Sequence, residues 1–110
     1  MLVAEDGGEV VGFAASWPTP DADLSPDVGE LSVINVRPDH WSAGVGRALM
    51  AATVDALQAH GHPEAALWVI TGNTHARGFY EHLGWHADGA KRRLDVPGGS
   101  FDQVRYRRKL

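Results

Sequence analysis

The chain has 110 residues, of which 44% are apolar and 22% charged, a length and balance that fit one globular domain with a single core and leave no room for two. A net charge of −4 disfavours nonspecific nucleic-acid binding, and the absence of cysteine excludes disulfides, thiolate metal sites and a cysteine nucleophile. No apolar run is long enough to cross a bilayer, and the opening MLVAEDGGEV lacks the basic and apolar regions of a signal peptide, so a cytoplasmic protein with neither membrane nor nucleic-acid partner is expected.

Met1 to Ala4 is a short apolar run, Glu5-Asp6-Gly7-Gly8 is a turn signal, and Glu9 to Ser16 (EVVGFAAS) returns as an extended run, which predicts a hairpin. Trp17 to Gly29 (WPTPDADLSPDVG) mixes prolines and aspartates without periodicity and reads as a loop. Glu30 to Val36 (ELSVINV) is β-branched and apolar, a third and central strand that Pro38 ends. The helix after Gly44 places Val45, Leu49, Met50, Thr53, Ala56 and Leu57 on one face and stops at Gly61. Glu64 to Ile70 (EAALWVI) is a buried strand, reached through a helix and therefore expected to run parallel to the strand before it. A short helix follows from about Thr74 to Leu83, with Ala76, Phe79, Tyr80 and Leu83 on one side and Gly84 at its end. Ala87 to Leu110 forms two extended runs around Pro97-Gly98-Gly99, a closing hairpin.

Gly44 and Gly46 sit where a loop becomes a helix. The first amides of a helix have no internal acceptor and carry the positive end of its dipole, so this junction can bind phosphates, and the missing side chains allow close approach. The same glycines also serve as ordinary turn residues.

Val36-x-Pro38 followed by Gly44-x-Gly46-Arg47-Ala48-Leu49, and then Asn73 through Tyr80 to Leu83-Gly84-Trp85 (NTHARGFYEHLGW), resemble in order and separation the two signature motifs of the GNAT N-acetyltransferase superfamily. The first is similar to its acyl-CoA motif, Gln/Arg-x-x-Gly-x-Gly/Ala, and the second to its Asn-x-x-Ala-x-x-Phe-Tyr-x-x-x-Gly-Phe segment. The resemblance runs from about Gly12 to the C-terminus. It implies an α/β fold: a GNAT-like mixed sheet with an N-terminal hairpin, a central βαβα acyl-CoA-binding unit and a C-terminal hairpin, lacking the usual first strand and first two helices. Trp41 stands where the family carries Gln or Arg, and Ser42 and Ala43 replace residues that are often basic, so backbone amides are expected to hold the pyrophosphate.

The resemblance implies an acyltransferase that moves an acetyl group from acetyl-CoA to a small-molecule or peptide amine by direct attack. Within it, Ile34, Asn35 and Val36 present backbone groups to the pantetheine arm. Ser42, Ala43, Gly44, Val45, Gly46 and Arg47 hold the pyrophosphate. Asn73 hydrogen-bonds the cofactor, and Tyr80 protonates the departing thiolate. Glu30 is the best match for a general base, since the position five before Asn73 that bears a glutamate in some members is Trp68. Each role has a plainer counterpart: Tyr80 as a core aromatic, Asn73 as a helix N-cap, Arg47 and Glu30 as solvated charges. The six histidines lack metal-binding spacing and read as solvated, with no metal site, and the basic residues of the last hairpin read as mostly solvated. Two rival readings are a noncatalytic acyl-CoA-binding or interaction module and a fragment completed by a partner chain. A homodimer covering the exposed hairpin edge is a further expectation.

Overall fold

The computed structural model describes residues 1–41 and 43–110; Ser42 lies outside the described residues. The chain divides into two compact units, Met1–Ala65 with Leu110, and Ala66–Lys109.

In the first unit β1 (Leu2–Asp6) and β2 (Glu9–Pro18) form the expected hairpin, with Val3 opposite Phe13. Its two-residue turn is Gly7-Gly8, both at positive φ (59° and 85°), the conformation that matches strand twist and suits glycine. β3 (Gly29–Val36) pairs antiparallel with β2, Asn35 opposite Phe13. The helix α1 (Val45–Ala59) packs on β2 and β3 and buries Leu49, Met50, Thr53, Val54 and Leu57. The expected face is therefore right at its centre, while Val54 joins it and Val45 and Ala56 are only half-buried. Thr53 is tolerated there because its hydroxyl donates to the Leu49 carbonyl at 2.8 Å. Gly61 (φ 84°) closes α1: its N–H bonds the Gln58 carbonyl and that of His62 bonds the Leu57 carbonyl, which satisfies the last turn.

β4 (Glu64–Ile70) leads into the second unit, which continues with α2 (Thr74–His82), β5 (His86–Val96) and β6 (Gly99–Lys109). Within it β6 lies between β4 and β5. The closing hairpin turns through Pro97-Gly98, with Val96 opposite Gly99 and Gly98 at φ 91°, so a fixed proline φ is followed by the positive φ that a type II turn requires. A bulge between Ala87 and Lys91 contains Asp88 and Gly89. Leu67, Val69, Trp85, Val104 and Tyr106 are buried.

Helix and sheet of the first unit meet closely at Gly12, where a Cβ would lie 2.9 Å from the Asn35 carbonyl oxygen and 3.0 Å from Leu49 Cδ1. The neighbour at 2.9 Å is backbone and cannot swing away. Gly12→Ala is therefore expected to cost about 1–3 kcal/mol, read as a lower urea midpoint at unchanged slope.

Candidate functional site

The loop before α1 is built by backbone constraints. Pro38 starts a 3₁₀ turn (Pro38–Ala43), and Gly44, at φ 79° and ψ 8°, both ends that turn and opens α1 with no side-chain cap. Among the described residues, the first amide of α1 bonded back to the loop is that of Ala48, to the Gly44 carbonyl at 3.0 Å. The amides of Val45, Gly46 and Arg47 thus precede the helical hydrogen-bond ladder and have no acceptor within it. Nothing lies within 4 Å of where a Cβ on Gly44 would sit, so an anion can approach this helix end. Ala43 and Arg47 are exposed and Val45 and Gly46 half-buried. On β3, Ile34 is half-buried and Asn35 exposed. The Val36 carbonyl already accepts the indole N–H of Trp41 at 2.8 Å, so the tryptophan that stands in the expected cation's place braces the loop instead.

His40 corrects the expectation of solvated histidines. Its ring lies 2.9 Å from Asp39 Oδ1 and 3.2 Å from Asp6 Oδ2, clipping the 3₁₀ turn to the end of β1. The hydrogen bond with Asp39, and then that with Asp6, raise its pKa. His40 in turn is the main cause that lowers the pKa of Asp39. Arg37 joins the tie by donating to Glu9 at 3.2 Å and Asp39 at 2.9 Å. Beside it, a cleft of about 600 Å³ between β1 and the first turns of α1 is walled by Leu2, Ala4, Val11, Ala48, Gly44 and His40. His60 and His62 also bond backbone carbonyls, those of Ala56 and Asp27.

Glu30 is not a solvated strand-end charge. It is 8% exposed, and its Oε2 accepts the indole N–H of its cross-strand neighbour Trp17 at 3.0 Å. The pairing holds a carboxylate under partial cover, an environment in which proton-accepting groups are often found.

In the second unit Asn73 caps α2, its Oδ1 accepting the Ala76 amide at 3.1 Å while its side-chain NH₂ remains for other partners. Tyr80 is held by rings: Phe79 at 5.6 Å, Tyr106 at 6.3 Å and Trp85 at 6.4 Å between centroids. Burial raises its pKa, and its hydroxyl has no hydrogen-bond partner among the described residues. Tyr106, wholly buried, donates its hydroxyl proton to Glu81 Oε2 at 2.6 Å and accepts from Arg77 Nε at 3.0 Å. Arg77 also donates to the Thr71 carbonyl at 2.9 Å, tying the loop before α2 to the same centre. The sequence reading missed Tyr106, although its period-two placement with Val104 inside the arginine run carried the signal.

The basic hairpin needs correcting too. The Arg105 side chain is 5% exposed, its Nε 2.7 Å from Asp88 Oδ2, and its guanidinium lies 5.4 Å from the centre of the Trp68 ring. Asp88 comes from the β5 bulge, which no local sequence signal ties to Arg105.

A glycine-opened helix after a strand, followed by a strand and an Asn-capped helix bearing the tyrosine, defines an α/β fold of the kind found in the GNAT superfamily. The family model described as "Acetyltransferase (GNAT) family" matches residues 1–85. The chain belongs to the GNAT acetyltransferase family. A mycothiol acetyltransferase of Kocuria rhizophila is 37% identical over 87 residues, 76% of this chain and 29% of that protein, so the chain spans under a third of this curated relative. Among solved structures, ribosomal-protein-alanine N-acetyltransferase of Brucella melitensis superimposes with a TM-score of 0.83 at 24% identity, over 98% of this chain and 67% of the other. For yncA of Salmonella typhimurium, solved with its cofactor acetyl-CoA, the TM-score is 0.82 at 22% identity, over 98% and 62%.

Two outcomes follow from this geometry. Tyr106→Phe leaves Glu81 and Arg77 without their common partner and is expected to cost about 1–3 kcal/mol in urea unfolding. His40 is expected to titrate above its ordinary value of 6.5 by NMR. Its raised folded pKa makes the His40 tie fully stabilising below about pH 6.5 and progressively lost as pH rises through the raised value, a slope that His40→Gln should remove.

Proposed function

We propose that this chain carries out acetyl transfer from acetyl-CoA to an amine by direct attack, with no covalent enzyme intermediate. The observation that carries the reading is Tyr80: a phenol caged by three rings, kept protonated by burial and left with an uncommitted hydroxyl. Such a group can give its proton to a departing thiolate. The open approach to Gly44 suits a diphosphate, which a side chain there would meet first. Acetyl-CoA, when bound, supplies the activated thioester.

In this reading the amides from Ala43 to Arg47 hold the diphosphate, with the Arg47 side chain adding a cation, and Ser42 belongs to the same stretch by family resemblance. Backbone groups of Ile34, Asn35 and Val36 align the pantetheine arm, and the Asn73 side-chain NH₂ is a further donor. Glu30 takes the proton that the amine loses, and Tyr80 provides the one that the thiolate gains. The acceptor is a small-molecule or peptide amine. A cytoplasmic setting belongs to the same proposal, because acetyl-CoA is made and consumed inside cells, and no helix among the described residues is long and apolar enough to cross a membrane.

Calorimetric titration with acetyl-CoA is expected to show binding; none at about 1 mM would overturn the proposal. Thiol release across a panel of amines should then fall about a hundredfold in Tyr80→Phe while acetyl-CoA affinity is kept. Equal rates in the two proteins would remove Tyr80 from the mechanism, and binding without any turnover would favour a noncatalytic acyl-CoA-binding module.

A further inference from the structure

The second unit carries a face that the transfer chemistry does not use. Arg92 and Leu94 share one side of β5, with Gln103 and Phe101 as their cross-strand partners on β6. The Arg92 guanidinium lies 4.2 Å from the centre of the Trp68 ring, which brings Trp68 and, two residues on, Ile70 of β4 to the same side. Ile70, Leu94 and Phe101 are large apolar residues, yet they are 40%, 40% and 44% exposed.

Arg92 is exposed but not loose. The Trp68 ring supports its flat face, and its Nε donates to Gln103 Oε1 at 2.7 Å. Its two terminal nitrogens have no partner among the described residues. The other guanidinium on the same ring, Arg105, is neutralised by Asp88 at 2.7 Å. One pre-oriented guanidinium fork therefore stands open beside apolar surface, the arrangement that takes a carboxylate with two parallel hydrogen bonds. β4 runs through a short loop into Asn73 and α2, so this face begins one turn of chain from the helix that bears Tyr80.

We infer that Arg92, fixed on Trp68, is a specificity residue for the amine acceptor and selects an acceptor that carries a carboxylate next to an apolar group. The inference rests on the acetyltransferase reading, and its ligand chemistry is shared by acidic peptides and by small amino acids. A phosphate of the acyl donor is disfavoured as the partner because Ile70, Leu94 and Phe101 offer a phosphate nothing, whereas they match an acceptor's apolar body.

The test measures binding as well as turnover, using wild type saturated with CoA and two matched pairs: Ala-Glu-Phe-amide against Ala-Gln-Phe-amide, and L-phenylalanine against phenethylamine. In at least one pair the carboxylate-bearing member should bind about tenfold more tightly to wild type. Arg92→Gln should erase that preference, and Arg92→Lys should restore part of it. The pair that shows the effect tells peptide from small-molecule acceptors. Equal binding within both pairs, or a preference that survives in Arg92→Gln, overturns the inference. So does a changed ratio of affinities for CoA and 3′-dephospho-CoA in Arg92→Gln, since that would assign the residue to the donor. Because these readouts are affinities, a protein that binds the acidic peptide but transfers no acetyl group refutes the enzymatic reading alone.

Discussion

Tyr106 is a phenol with no exposure to water, and a buried hydroxyl is costly unless both its proton and its lone pairs find partners. Glu81 and Arg77, one helical turn apart on α2, meet both needs, so β6 specifies where α2 must lie and which face it presents. Arg77 extends the constraint to the Thr71 carbonyl and hence to the loop that ends in the Asn73 cap. Tyr80, one residue before Glu81, is then held against Trp85 and Tyr106 with its own hydroxyl uncommitted. Tyr106 is thus satisfied on both sides, whereas the Tyr80 hydroxyl has no hydrogen-bond partner among the described residues.

The first unit solves a different problem, that of starting a helix directly after a 3₁₀ turn with no side-chain cap. Gly44 supplies the left-handed turn, and the polar ties sit to the side of it: Trp41 to the Val36 carbonyl, and His40 with Arg37 to the acids of β1, β2 and the 3₁₀ turn. None of these contacts needs an amide of the first helical turn. The loop is thus braced through side chains, to one side of the helix start. Trp41 stiffens the loop through its bond to the Val36 carbonyl.

Membership in the GNAT family rests on a stretch that ends before β5. The family model covers residues 1–85, which include the loop before α1, Trp68 and α2, whereas Arg92 lies on β5 beyond the matched stretch. The relative from Kocuria matches this chain over 29% of its own length, so its name speaks to ancestry more directly than to substrate.

Much of the fold, and the local backbone of the loop before α1 and of the α2 cap, were legible in the sequence, because local rules decide them. Gly7-Gly8 and Pro97-Gly98 make turns by backbone conformation alone, the apolar period of α1 marks its buried stripe, and Asn73 caps α2 through a contact three residues away. Gly44 could be placed at a helix start for the same reason. What the sequence could not decide was the fate of charged and polar side chains, since their partners are remote along the chain. Glu30 is covered by Trp17, Arg105 is neutralised by Asp88 from a bulge, His40 bridges to Asp6, and Arg92 rests on Trp68. Whether a charge is solvated, paired or left open to a ligand depends on what the folded chain brings within a few ångströms of it, and only the tertiary structure settles that.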